Sequence, residues 1–456
     1  MNTPFWTPAD GTAIRESVTL APGVYHLPRG LLIEADGVTL DGNGATLVGA
    51  GRQGTGVRIE DHRGVSVRNL RLRDYYHGIH AVNCRNLTLA KNQITATDEV
   101  PANTVFLDIW RGPEAAYGGA MLLQGVADSR VENNDLQHQQ NGLLTYHCAS
   151  LTVTGNNASY NSGWGFHLFG TCDSRFEENR ADYCCRFEPR DAGENALHYG
   201  HMGADAAGFL AVYGSCRNTF RRNAARLGGD GFFLAGLTPD GEKRGCDDNL
   251  FEENDGSLSP NIAFEATFSR GNVFRGNYAD RSNYGFWLGF SWDTTLENNR
   301  MVFNRQAGIA VENGHGFVVQ GNTFQANGHG VLVWTKHVES FAALFPESRT
   351  SYDWTIERNT FARNTTAIRI AGDQDHGIRP LPESAPQQGT PETRPRNHAI
   401  RGNDIQNGVI GIELVRADRT TVENNVLRGN ARADLRQDDV EGTVARNNLG
   451  AAGGYL

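Results

Sequence analysis

The stretch "TLENNRMVFNRQAGIAVENGHGFVVQGNTF", residues 295–324, holds the pattern on which the fold turns. It begins with paired asparagines, passes through a glycine followed by alternating residues, "GIAVE", and returns to an asparagine in "VQGNTF". Asn299 and Asn322 are 23 residues apart. Working outward, the same mark falls at Asn134, Asn157, Asn179, Asn223, Asn254, Asn277, Asn299, Asn322, Asn359, Asn403 and Asn425, at steps of 22 or 23 wherever no insertion intervenes. The step from Asn179 to Asn223 is 44, with an insertion in place of a second motif. A constant period of this size marks a stack of repeats.

A second mark keeps the same phase. Glycine precedes alternating runs in "GIHAV", "GFHLF", "GFLAV", "GFFLA", "GFWLG", "GVLVW" and "GIELV". Alternation over four or five residues between Gly and Asn turns reads as short strands, and helical spacing is almost absent. Several such strands per repeat make one coil of an all-β parallel β-helix, a solenoid whose coils stack about 4.8 Å apart. The recurring asparagines then form an internal ladder that satisfies turn backbone groups, a structural role rather than sugar contacts.

At these motifs the chain resembles the right-handed parallel β-helix proteins of the pectin-lyase-like superfamily, with NosD-like PbH1-type repeats. The opening "VTLAPGVYHLPRGLLIEADGVTLDGNGATLVGAG", residues 18–51, resembles the first coils of that superfamily. The resemblance spans nearly the whole chain. It implies one elongated right-handed solenoid of roughly a dozen coils, and it leaves lyase, hydrolase, epimerase and non-catalytic scaffold open. Neither an "NTD…DD…GHG" nor a "DPHE" set is evident; "ENGHGF" at 312–317 carries only the Gly-His-Gly part.

Bulk properties narrow the partners. The net charge is -10 with no Lys/Arg-rich run, which argues against nucleic acid. No apolar run is long enough to span a membrane. The opening residues lack a basic segment followed by an apolar stretch, so a cytoplasmic setting is the default expectation. The cysteines Cys84, Cys148, Cys172, Cys184, Cys185, Cys216 and Cys246 are odd in number and show no CxxC, so neither a disulfide framework nor a zinc site is expected.

The expected organisation is a cap and first strands at 1–36, the β-helix at 37–449 and a tail at 450–456. Insertions fall at 96–118, 181–207, 237–248, 336–353 and 373–397. The first two precede the Gly-led strand and the others follow it, so they should wall both edges of one sheet. On that strand the first and third residues after Gly are apolar and should point inward, among them Leu122, Leu168 and Leu288. The alternate residues then face out. Tyr146, His147, His167, Phe169, Tyr213, Phe233, Trp287, Glu312 and Trp334 are candidates to hold a poly- or oligosaccharide, since aromatic rings stack on the C–H faces of sugars. A closed groove, with loops lying over these rings, is the competing expectation.

Five residues are candidates for chemistry. Asp205 and Asp230 sit near equivalent points of consecutive repeats and could flank a glycosidic bond as acid and base, with Glu265 as a third carboxylate. Turn chemistry is the alternative for both aspartates. Arg186 and His201, with Arg190 and Tyr213, suit a lyase or C5-epimerase acting on a uronate, where a cation neutralises the carboxylate and a base takes the proton. No cofactor is required by the sequence; Asp247-Asp248 is a weak candidate for calcium. The short C-terminal tail leaves strand edges to be covered, which makes a homo-oligomer a candidate state.

Overall fold

The computed structural model describes residues 5–101, 104, 106–186, 205–335, 339–372 and 393–450. It divides into two compact units, Met1–Phe233 and Leu234–Leu456. Both are built the same way, from parallel strands whose neighbours lie one coil apart in sequence.

In the first unit the Gly-led strands form one sheet, through Ala13–Ile14, Leu31–Ile33, Thr55–Glu60, His77–Val82, Gly119–Gln124, Leu143–Tyr146, Trp164–Phe169 and Ala207–Val212. The register places Val57, Ile79, Met121, Leu143, Phe166 and Phe209 in one inward column. A second sheet carries Val67, Leu89, Val131, Val153, Phe176 and Phe220 in a facing column. Both columns are buried. Their rings stack along the coils, Phe166 on Phe209 at 4.6 Å and Phe176 on Phe220 at 5.3 Å. Each buried aromatic contributes about 2–3 kcal/mol of apolar burial.

Leu122 departs from the expected alternation. It pairs with His80 and Leu144 on the outer column, and Met121 takes the inward place. The reason is that Ala120 occupies the place of the repeat glycine, one residue beyond Gly119.

The second unit repeats the plan with Ile262–Thr267, Tyr284–Trp287, Ala307–Glu312, His329–Trp334, Thr366–Ala371, Ile410–Val415 and Ala433–Asp438. Its inward column runs Phe264, Phe286, Ile309, Val331, Ile368, Ile412. The described strands outnumber the expected dozen coils because the first turns, such as Ala13–Ile14 and Leu31–Ile33, precede the asparagine series that begins at Asn134.

The asparagine ladder is present in both units. In the second, Asn277, Asn299 and Asn322 each donate through Nδ2 to the next rung's Oδ1 or to a strand carbonyl, and each backbone N–H donates to the next Oδ1 at 2.8–2.9 Å. In the first, the rung between Asn134 and Asn179 is Asn156, not Asn157. Asn157 instead accepts from Ser159. The doubled asparagine makes the two indistinguishable by spacing alone. Asn179 bonds directly to Asn223, so the 44-residue step is one coil with an insertion. A parallel ladder, Asn304, Asn327 and Asn364, was not anticipated from the repeat.

Candidate functional site

In the first unit the outward strand face is covered. Backbone carbonyls of the 96–118 insertion meet outward side chains, two of which, Tyr146 and His167, were expected to hold sugar. Gln124 Nε2 donates to Pro113 O at 2.8 Å, Tyr146 OH donates to Arg111 O at 3.2 Å, and His167 Nε2 lies 3.3 Å from Ile109 O. Tyr146, His167 and Phe169 do face outward, Tyr146 opposite Phe169 and His167 opposite Leu144, yet they are buried. Burial pulls the His167 imidazole down to about 4, so it is neutral at pH 7. The insertion therefore folds across the strands instead of standing as a wall. The apolar rings beneath explain this, because leaving them in water is unfavourable. His147 remains exposed at the strand's end, edge-on to Phe169 at 5.4 Å, and half-buried Tyr213 stacks on Phe169 at 4.3 Å.

Asp205 lies beneath the same cover. Asp205 is fully buried. Its Oδ1 receives Arg186 Nη2 at 2.6 Å, its Oδ2 receives the Leu107 N–H at 2.9 Å, and its carbonyl accepts from Trp164 Nε1 at 2.7 Å. Arg186 in turn donates to Thr104 O at 3.1 Å. Asp205 and Arg186 thus tie the covering insertion to the strand below. Asp230 is also fully buried, and its N–H donates to Ala206 O at 2.8 Å. Neither aspartate faces an open groove, so their placement corrects the expectation of a solvent-facing acid–base pair. His201 and Arg190 lie outside the described residues.

In the second unit the described parts of the 237–248 and 336–353 insertions stand at the strand's end as a wall. The helix Glu339–Leu344 and the residues after it set Phe341 and Phe345 against Phe268, at 5.1 and 5.2 Å, beyond the end of the strand Ile262–Thr267. Lys243, from the 237–248 hairpin, lies 4.4 Å over the Phe345 ring. The strand face beside this wall carries Glu265, Trp287, Glu312 and Trp334. Glu265 pairs with Trp287 in register, and Glu312 with Trp334. Phe233 lies half-buried at the last position of the first unit.

The geometry here is specific. Trp287 is half-buried and packs edge-on between Tyr284, at 4.9 Å, and Trp334, at 5.3 Å. Gly289 lacks the Cβ that would stand 3.1 Å from Glu312 Cγ, 3.4 Å from its Oε1 and 3.4 Å from Trp287 Nε1. The glutamate therefore lies back across the neighbouring coil toward the indole N–H. Glu265 is half-buried. Burial, and then the charge of Glu312, push its carboxyl far above the usual carboxylate range, to about 8. Raised in this way, the Glu265 carboxyl keeps its proton at neutral pH. The Trp334 indole N–H is buried with no hydrogen-bond partner among the described residues, an unspent donor at the same place.

Tyr284 was missed from the sequence. It precedes the repeat glycine, and that position also faces out, as His77 and Trp164 do in the first unit. Strict alternation puts that position inward with Phe286, so the pattern hid it; its packing on Trp287, like that of Trp164 on His167, places it outside. Asp247, the proposed cation ligand, accepts instead from the Arg270 N–H at 2.9 Å. Among the described residues no three His, Cys, Asp or Glu side chains gather to hold a metal ion. Nor is any described helix long and apolar enough to cross a membrane.

Stacked parallel strands, an internal asparagine ladder and one worked outer face define a parallel β-helix protein. The chain belongs to the right-handed β-helix family, whose model, described as "Right handed beta helix region", matches residues 29–257, half of the chain. A second model, described as "Periplasmic copper-binding protein (NosD)", matches residues 192–380. No curated protein sequence matches. Among solved structures the chain is similar to the mannuronan C-5 epimerase AlgE6 A-module of Azotobacter vinelandii, at 13% identity over 94% of this chain and 90% of that one, with TM-score 0.45. It is also similar to a mutant of the periplasmic alginate epimerase AlgG, at 12% identity over 88% and 84%, with TM-score 0.47. A third, a mannuronic acid specific polysaccharide family 6 lyase from human gut microbiota, shares 15% identity over 93% and 86%, with TM-score 0.36. These are likenesses of fold.

Proposed function

We propose that the chain is a carbohydrate-active enzyme that hydrolyses a glycosidic bond of a poly- or oligosaccharide at the Glu265–Trp287–Glu312 face. The observation that carries this reading is the pair of interacting carboxyls beside a half-exposed tryptophan, with one carboxyl held in its acid form at neutral pH. Glu265 serves as the general acid that protonates the leaving oxygen. Glu312 serves as the partner carboxylate that activates water or attacks the anomeric carbon. Trp287, braced by Tyr284 and Trp334, offers its ring to a pyranose. The same geometry bears on substrate charge. A uronate brought beside two carboxyls meets like charge, so a neutral sugar or an amino sugar suits the face better than a polyuronate. A polymer substrate and the periplasmic description of one matching family favour an extracytoplasmic setting over the cytoplasmic default.

The test is release of reducing ends from a panel of neutral, amino-sugar and uronate glycans. The expected result is turnover of a neutral or amino-sugar member, lost by a factor of about 10²–10⁴ in Glu265→Gln. Trp287→Ala should weaken binding of the same member. An unsaturated product absorbing in the ultraviolet, or a changed uronate ratio, would replace hydrolysis by lyase or epimerase chemistry. Sugar binding that survives with no turnover of any member would mark a non-catalytic binding face.

A further inference from the structure

Among the cysteines, two stand apart. Cys84, Cys148, Cys184 and Cys246 are buried. Burial raises the thiols of Cys84, Cys148 and Cys184, and half-buried Cys185 is raised as well. Cys172 and Cys216 are half-buried, at matching points of neighbouring coils in the first unit. The Asp173 N–H donates to Cys216 O at 3.1 Å, and the Cys216 N–H donates to Cys172 Sγ at 3.3 Å. Backbones joined in this way are about 4.8 Å apart, inside the roughly 4.4–6.8 Å that a disulfide spans between Cα atoms. The Cys216 side chain bonds to the Cys172 sulfur, and this contact, with Arg217 nearby, draws the Cys172 thiol down to about 6. Arg217 is held in place by two bonds to Asp173, at 2.7 and 2.8 Å.

We propose that Cys172 and Cys216 form a reversible disulfide that locks the coil bearing the 181–207 insertion to its neighbour. The oxidant is a small-molecule disulfide of the glutathione type. The Cys172 thiolate attacks one sulfur of that disulfide, forming a mixed disulfide and releasing one thiolate. Cys216 loses its proton to water and attacks Cys172 Sγ, forming the intrachain bond and releasing the second thiol. Two protein thiols and one small disulfide become one protein disulfide and two small thiols. The bond closes a chain segment that contains Tyr183, Arg186 and Asp205, the residues that lead into and out of the insertion. This inference is independent of the proposed hydrolysis.

The native protein is incubated with oxidised glutathione, its remaining thiols are alkylated, and its peptides are mapped by mass spectrometry without reduction. The expected product is lighter by two hydrogen atoms, with the Cys172 and Cys216 peptides joined and the other thiols alkylated. In Cys216→Ala the expected product is instead a stable glutathione adduct on Cys172. A native chain that keeps all of its thiols, or that joins a different pair, would overturn the proposal. So would a wild-type chain that accumulates the Cys172 adduct without resolving it. If Cys216→Ala does not fold, the wild-type map decides alone.

Discussion

Replacing Asn299 by alanine removes one rung from the middle of a continuous ladder, and its cost can be worked from the contacts. Asn299 Oδ1 accepts from both the backbone N–H and the Nδ2 of Asn277, each at 2.9 Å. Its own Nδ2 donates to Phe274 O at 2.9 Å and to Asn322 Oδ1 at 3.0 Å. The residue is 1% exposed, so water does not replace what is lost. Two donors on Asn277 are orphaned, each at about 1–3 kcal/mol, for a total of about 3–5 kcal/mol once relaxation is allowed. Asn299→Asp should be no better, because it keeps the acceptor, loses the donor and buries a charge. Four of the seven tryptophans, Trp287, Trp292, Trp334 and Trp354, lie in the second unit, so tryptophan fluorescence during urea unfolding reports mainly on the unit that holds this rung. The control is Asn283→Ala, which removes only a surface acceptor for Arg305 and should cost no more than about 0.5–1 kcal/mol. If Asn299→Ala unfolds at the same urea concentration as that control, the ladder does not carry the stability assigned to it.

The remaining predictions concern charge in buried places. His398 is buried, and neither ring nitrogen has a partner among the described residues; burial, and then Arg396, hold its imidazole down to about 3. Its folded value lies below its unfolded one of about 6.5, so the unfolded chain takes up the extra proton and stability falls as pH drops from 6.5 toward 3. His398→Leu should remove that loss, a relative gain of about 2 kcal/mol at pH 5, read from denaturation at pH 5 and pH 8; equal stability differences at the two pH values would contradict it. Asp205→Asn removes the carboxylate that buried Arg186 meets at 2.6 Å and should cost about 3–5 kcal/mol in the first unit. If Asp205→Asn instead abolishes turnover while leaving the thermal midpoint unmoved, Asp205 belongs to the reaction after all.

Periodicity made the fold legible. Asn277, Asn299 and Asn322 recur because each must satisfy the coil before it, so spacing alone locates them. The same logic slipped by one at Asn156 and Asn157, where both neighbours are asparagine and only burial separates them. It slipped again at Leu122, where alanine stands at the glycine position. The site was less legible because alternation tells inward from outward but not covered from open. Tyr146, His167 and Phe169 point outward as read, yet the 96–118 insertion closes over them through its backbone carbonyls, which no side-chain pattern announces. Asp205 and Asp230 look like a reactive pair in sequence because the contacts that occupy Asp205 come from Leu107 and Arg186, distant in the chain or inside an insertion. Glu265 and Glu312 were each visible as outward acids. Their meeting was not, since it depends on Gly289 leaving room for Glu312 to lie back across an intervening coil.

The central claim is that Glu265 and Glu312 share a site and hold a proton between them at neutral pH. The most direct measurement is a carbon-13 NMR titration of the side-chain carboxyls, with Glu265 assigned by its loss in Glu265→Gln and repeated in Glu312→Gln. The expected result is a Glu265 carboxyl that titrates near 8 in the wild type and at lower pH once Glu312 is neutral. A Glu265 that titrates in the usual carboxylate range, unaffected by Glu312→Gln, would mean two independently solvated acids, and the proposed acid–base pair would fall with it.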